Sequence, residues 1–273
     1  MRPRIAMKFG GTSVGTPEAL RRTVAHIARC DPPPLVVVSA VGGVTDLLIR
    51  AAEAAAAGDD PADEVDEIDR RHGAITDALG LEPTRVEPQR GELSRLLQGI
   101  GMLRERSPRV HDLLVSLGER ISARLVAAAL RAAGAPAAAL DSWELGLRTN
   151  GCHGRAEPIP GSHEAIRAHV ARLPDDQVAV VTGFIAHSTE GEVTTLGRGG
   201  SDFSAALFGV GFDQGITRRL QFLLIDRHFN PNRLRSPPAH RPCAGSKFSP
   251  PFVSPAAFPP QGPKSDSHSR CAG

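Results

Sequence analysis

The stretch Thr194-Thr195-Leu196-Gly197-Arg198-Gly199-Gly200-Ser201-Asp202 carries the residue types and spacing best suited to chemistry in this 273-residue chain. Three glycines in four positions let the backbone approach an anion with no Cβ in the way. Ser201 and Asp202 suit the N-cap of the apolar helix that follows from Phe203 to Phe208. A helix N-terminus beneath a glycine loop presents unpaired N–H groups and the positive end of the helix dipole. Arg198 adds a planar fork for a carboxylate or a phosphate. Asp202 would repel a phosphate but attract an ammonium group. The stretch therefore reads as a loop for a small zwitterion beside a phosphate. Its spacing is neither that of a P-loop, which ends in Gly-Lys-Ser/Thr, nor the dinucleotide G-x-G-x-x-G. By spacing alone it is an anion loop, and a capped glycine hairpin fits equally well.

Lys8 is the second candidate. Of 32 Lys+Arg, only Lys8, Lys247 and Lys264 are lysines, so Lys8 is the one ammonium side chain in the first 210 residues. A compact point charge differs from a planar fork, and a position that keeps Lys among so many Arg suits a phosphate clamp. A third candidate, Glu119, lies between Gly118 and Arg120, just off the apolar stripe of a strong helix. From the local sequence it reads as one half of a pair with a neighbouring arginine on a solvated face.

The elements that must position these groups alternate between strand and helix. Arg4 to Phe9 reads as a short strand ending in Lys8-Phe9-Gly10-Gly11. Thr16-Pro17-Glu18 starts a helix with Thr as cap and Pro at its first position. The continuous apolar run Leu35–Ala40 and the run Val178–Ala186 read as strands buried on both faces of a parallel sheet. The first turns through Gly42-Gly43-Val44-Thr45-Asp46 into a helix from Leu47 to about Ala57. Residues 63–103 read as a charged helical cover broken near Glu82-Pro83 and Glu87-Pro88. Val110 to Ala133 reads as the strongest helix, with Leu113, Leu114, Leu117, Ile121, Leu125 and Ala128 as its buried stripe. Pro136 to Leu140 suits a strand, Arg148-Thr149-Asn150-Gly151 a loop, and 162–173 a helix. Such alternation predicts a mostly parallel sheet with helices on both faces. Ligands on such sheets sit beyond the carboxyl ends of the strands, where Lys8, Ser39, Thr45 and Arg198 would all fall.

Composition bounds the rest. Hydrophobic content of 41% supports a buried core, and a net charge of +2 gives no reason to invoke nucleic acid. No apolar run is long enough to cross a bilayer. The four cysteines are far apart with no C-x-x-C pair, which suggests reduced thiols in a cytosolic setting. The ten histidines are scattered and suggest no metal site. The chain enters a strand directly, so no signal peptide is expected. Residues 211–273 change character, with nine Lys+Arg against three Asp, no Glu, and ten of the 23 prolines. Such a segment buries too little surface to offset ordering entropy, and is expected to be disordered.

Lys8-Phe9-Gly10-Gly11-Thr12-Ser13-Val14, Ser39-Ala40-Val41-Gly42-Gly43-Val44-Thr45-Asp46, Leu117-Gly118-Glu119-Arg120 and Thr195-Leu196-Gly197-Arg198-Gly199-Gly200-Ser201-Asp202 stand in the order seen in aspartate kinases. Arg148-Thr149-Asn150, Gly154-Arg155-Ala156-Glu157-Pro158 and Thr182-Gly183-Phe184-Ile185 also resemble that family. The resemblance spans roughly residues 4–209. It implies the amino-acid-kinase fold, a three-layer α/β/α sandwich over residues 1–210, and phosphoryl transfer from ATP to the β-carboxylate of L-aspartate. That reaction opens lysine, threonine and methionine biosynthesis. By matching position, Lys8, Phe9, Gly10 and Gly11 would hold the ATP phosphates. Arg198 would pair with the α-carboxylate of aspartate, with Glu119 and Asp202 receiving its ammonium. Ser39, Thr45 and Ser201 would complete the substrate site. Magnesium would arrive with the nucleotide, with no protein metal site. The family is usually homo-oligomeric.

The resemblance stops after Ala205-Ala206-Leu207-Phe208-Gly209. Aspartate kinases continue with an acidic, tyrosine-containing segment that helps bind nucleotide, then regulatory domains. Here Gln221-Phe222-Leu223-Leu224-Ile225-Asp226 and a Pro/Arg/Ser-rich tail follow, and the chain has no tyrosine. The expectation is a frameshifted or truncated product. It would be either an impaired aspartate kinase or an inactive fragment that binds aspartate or joins a full-length subunit. Another acyl kinase of the same fold is a third reading.

Overall fold

A computed structural model describes residues 5–82, 86–210 and 223–224. Strand β1 (Ala6–Phe9) leads through Gly10-Gly11 to helix α1 (Pro17–Ile27), whose cap Thr16 accepts the Ala19 N–H at 3.2 Å. Strand β2 (Leu35–Val38) turns through Gly42-Gly43 into α2 (Val44–Ala57). The charged region forms two helices, α3 (Ala62–Leu79) and α4 (Glu87–Leu103). Glu87-Pro88 begins α4 rather than breaking it, because a proline in the first turn has no N–H partner to lose. Helix α5 (Pro108–Ala132) opens on Ser107-Pro108 and runs for 25 residues. Strand β3 (Ala137–Leu140), strand β4 (Arg148–Thr149) and helix α6 (Ser162–Val170) follow. The chain then forms β5 (Val178–Thr182), β6 (Ile185–Ser188), β7 (Val193–Thr195), α7 (Gly200–Val210) and β8 (Leu223–Leu224).

The main sheet has the order β3-β5-β2-β1-β8, with every neighbouring pair parallel. Alternation along its strands makes three layers. Val36, Val38 and Val180 face a core built with α1, α2, α4 and α5, while Leu35, Val37 and Val181 face one built with α6 and α7. Both faces are therefore covered, which is why β2 and β5 are apolar without alternation. The fold is the three-layer α/β/α sandwich with a mostly parallel sheet.

Several details depart from the sequence reading. The run Val178–Ala186, expected as one strand, is β5 and β6 separated by Gly183-Phe184. Arg148–Thr149, expected as loop, is strand β4 of a second sheet, ordered β4-β6-β7. Within that sheet Thr149 Oγ1 lies 2.7 Å from Thr194 Oγ1, and Trp143 stacks on His187 of β6 with ring centroids 3.9 Å apart. The tail expectation for 211–273 lies outside the described residues, except that Leu223–Leu224 is a strand pairing with Met7 and Lys8. Cys30 is a free, partly buried thiol, but Cys152 is disulfide-bonded, so reduced thiols do not hold at both.

Helix α5 is the beam of the larger core, with Leu114, Leu117, Ile121 and Leu125 each at most 2% exposed. Leu117→Ala is expected to destabilise the protein by about 2–5 kcal/mol, through lost transfer energy plus a cavity. Thermal melts check this. A fall of less than roughly 2 °C would mean that α5 is not the centre of the cooperative unit.

Candidate active site

Beyond the carboxyl ends of β1, β2 and β5 lies a cleft of about 390 Å³. Main-chain hydrogen bonds continue past the strands and fix its floor. Ser39 N donates to Phe9 O at 3.1 Å, Gly183 N to Val38 O at 2.9 Å and Gly42 N to Gly11 O at 3.1 Å. The two glycine turns abut so closely that a Cβ on Gly11 would stand 2.8 Å from the Ala40 carbonyl oxygen. Only glycine lets these backbones meet there. Larger hollows of about 710 and 470 Å³ lie among α2, α3 and α4 and between α1 and α5, away from the strand ends.

Eight of the ten expected site residues line this cleft: Lys8, Gly11, Ser39, Thr45, Glu119, Arg198, Ser201 and Asp202. They come from β1, the turns after β1 and β2, the start of α2, the middle of α5, and the loop into α7. Lys8 and Arg198 thus share one pocket. The two other residues assigned to the nucleotide do not line it. The Phe9 side chain is buried in the larger core, and Gly10 is turned away, its carbonyl accepting the Ser13 N–H at 2.9 Å.

Two charge arrangements decide what the cleft can do. Lys8, only 9% exposed, pairs with Asp202 at 2.9 Å. This joins the end of β1 to the first turn of α7 and holds an ammonium at the cleft wall. Glu119 is not on a solvated face. It is buried, its Oε1 accepts the Ala40 N–H at 3.3 Å, and its Oε2 has no hydrogen-bond partner. Burial pushes its pKa up to about 8, against a smaller downward pull from the Ala40 N–H. Arg120 turns the other way, to Glu92 at 2.8 Å. The pairing expected from adjacency fails because consecutive helix positions face different directions.

The cleft has further lining that the residue-by-residue reading passed over. Asp46, in the first turn of α2, is exposed at its rim. Phe184 also lines it and has φ +66, rare for an aromatic residue. That conformation is held by Ser204 Oγ accepting the Phe184 N–H at 3.1 Å and by Leu196 N donating to Phe184 O at 2.8 Å. Helices α2 and α7 both direct their N-termini at the cleft, so their free N–H groups add to the field of Lys8 and Arg198. The site can hold anionic groups at two places and a cation at the buried Glu119.

Comparison with known proteins bears on the same region. The model of the Amino acid kinase family matches residues 3–215. The chain is 36% identical over 212 residues to Aspartokinase 1, chloroplastic, of Arabidopsis thaliana, covering 74% of this chain and 37% of that protein. It is 36% identical over 209 residues to Lysine-sensitive aspartokinase 3 of Escherichia coli, covering 74% and 45% respectively. The crystal structure of E. coli aspartokinase III in complex with aspartate and ADP superposes with a TM-score of 0.65 at 32% identity, over 75% of this chain and 46% of that one. The chain thus spans less than half the length of these aspartokinases. With the parallel sandwich, the cleft at its strand ends and a family match over most of its length, the chain belongs to the amino acid kinase family.

Proposed function

We propose that this cleft is the aspartate half of an aspartate kinase site, which directs the β-carboxylate of L-aspartate at the γ-phosphorus of ATP. The observation that carries the reading is the convergence of Lys8, Glu119 and Arg198 on one cleft from three distant parts of the chain. The aspartokinase relatives, one of them solved with aspartate and ADP, support it.

In this reading Arg198 grips the α-carboxylate, and the unpartnered Oε2 of Glu119 receives the α-ammonium. Asp202 has its charge matched by Lys8, so its role shifts from ammonium acceptor to holder of that lysine. Ser39 and Thr45 orient the β-carboxylate. One of its oxygens bonds to phosphorus as the bond to ADP breaks, and the electron pair leaves with ADP. A carboxylate is already a nucleophile at neutral pH, so no general base is needed. The Lys8 ammonium offsets charge on the transferring phosphoryl group, and the Gly11 backbone lets that group approach closely. Magnesium accompanies the nucleotide. Lysine, threonine and methionine synthesis, a cytoplasmic setting and homo-oligomerisation belong to the same reading. No helix among the described residues is long and apolar enough to cross a membrane.

A second reading is favoured by one feature of the sequence: the acidic, tyrosine-containing nucleotide segment of the resembled family has no counterpart after residue 210. Aspartate binding would then exceed turnover. Calorimetry with L-aspartate and a hydroxylamine trap with ATP and Mg²⁺ measure the two separately. The expected outcome is saturable aspartate binding with slow acyl-phosphate formation. No aspartate binding at millimolar concentration refutes the aspartate site, and rapid turnover refutes the impairment. Arg198→Ala is expected to weaken aspartate binding by roughly ten- to hundredfold, the loss of a charge-assisted pair.

Glu119 also predicts a pH dependence. Its folded pKa lies above its usual value of 4.5, so the folded state binds the proton more tightly than the unfolded state. Its contribution to stability is full below about pH 4.5 and declines as pH rises through about 8. Glu119→Gln should therefore melt above the wild type at pH 8.5, with a smaller advantage at pH 6, while losing aspartate affinity by at least about tenfold. An equal melting difference at both pH values would contradict the assignment.

A further inference from the structure

Asp112 is fully buried on α5 and takes no part in the chemistry above. Its two oxygens gather donors from two other segments. Oδ1 accepts the Thr195 hydroxyl at 2.8 Å and the Gly154 N–H at 3.1 Å. Oδ2 accepts the Thr195 N–H at 3.0 Å and the Gly154 N–H at 2.9 Å, and lies 3.1 Å from His153 Nδ1. The other ring nitrogen of His153 is 3.3 Å from Glu192 Oε2, and Glu192 pairs with Arg109 at 3.1 Å. A buried carboxylate needs such donors, and these ones tie the 153–156 turn and the end of β7 to α5.

Both of those segments lead to Arg198. Thr195 is three residues before it in the chain, and Thr195 O accepts the Ala156 N–H at 2.7 Å. Gly197, with φ +72, rests against the other segment: a Cβ there would lie 3.3 Å from the Gly154 carbonyl oxygen. The loop that presents Arg198 is thus seated on the two groups that Asp112 holds. Asp112 and Glu119 are seven residues apart on one helix, so two turns and roughly 10 Å of rigid rise separate them on the same side.

We propose that Asp112 is a positioning residue that sets the distance between the α-carboxylate grip at Arg198 and the α-ammonium acceptor at Glu119. Helix α5 is then a ruler for the amino-acid end of the substrate, with Glu119 as one mark and the Asp112-held loop as the other. The specificity it confers is for a ligand carrying both groups on one carbon. The proposal rests on the aspartate reading above.

The test measures, on the whole chain by calorimetry, affinities for L-aspartate, for its α-amide and for succinate. The α-amide lacks the charged α-carboxylate, and succinate lacks the ammonium. Wild type is expected to prefer L-aspartate over both. Asp112→Asn keeps the shape but sets an NH₂ against donors, so the preference over the α-amide should fall by about tenfold. The preference over succinate should change by less than about twofold, because Glu119 keeps its own place. A merely structural role would lower both ratios together or neither, and either result overturns the proposal. If Asp112→Asn does not fold, Thr195→Val removes only the hydroxyl contact; it should lower the α-amide ratio by about threefold, and an unchanged ratio overturns the proposal. A wild type without preference for L-aspartate refutes the aspartate reading itself, and the ruler with it. Normal wild-type preferences with unchanged variants refute the ruler alone.

Discussion

A carboxyl group buried with one oxygen bonded to a backbone N–H and the other to nothing is the arrangement on which this site depends. Glu119 is in that position. A buried charge without a counter-ion is among the most expensive things a fold can hold, so the group answers by keeping its proton. The cleft is therefore electrostatically incomplete at Glu119, and in the proposed reading the ammonium of the substrate supplies what it lacks. Lys8 and Asp202 are the opposite case, a cation and an anion that satisfy one another before any ligand arrives. One pair is closed and one acceptor is open, and in the proposed reading the difference separates the phosphate side of the cleft from the amino side.

The fold delivers these groups by strand order. Because β2 lies between β1 and β5, the turns that follow these strands are neighbours, and their backbones can hydrogen-bond across the sheet end. Helix α5 packs beneath, placing Glu119 under the Ala40 N–H. The loop before α7 covers the remaining side. No single segment could form the cleft, since its charged groups come from β1, α2, α5 and the loop into α7.

Much of this was legible in the residues. β2 and β5 could be read because a strand covered on both faces must be apolar throughout, and Leu35–Val38 and Val178–Val181 are. The end of β5 could not, because the apolar run continues to Ala186 through the Gly183-Phe184 turn into β6. The Arg198 loop announced itself through its glycines and caps, and Lys8 through its isolation among arginines. Glu119 was misread from local sequence because its burial comes from the 40–44 turn, some 75 residues away in the chain, which no periodicity on α5 can record. Strand β4 escaped notice because two polar residues carry no alternation, and their strand exists only through its pairing with β6. Phe184 and Asp112 were hidden for the same reason. A positive φ on an aromatic residue and a carboxylate surrounded by N–H groups are properties of the surroundings, invisible in the residue type.

The strand order also has a consequence for how the molecule comes into being. β2 is flanked in the finished sheet by β1 and β5, and β5 is made some 140 residues later than β2. Until then one margin of a wholly apolar strand has no neighbour, and a growing polypeptide on the ribosome must shield it by other means. Closing such a long loop is slow, and a bare hydrophobic margin invites pairing with other chains. Nascent chains of this protein should thus be hazardous companions for one another until Val178–Thr182 has emerged, and a chaperone that covers β2 over that interval would matter more to its yield than to its final stability.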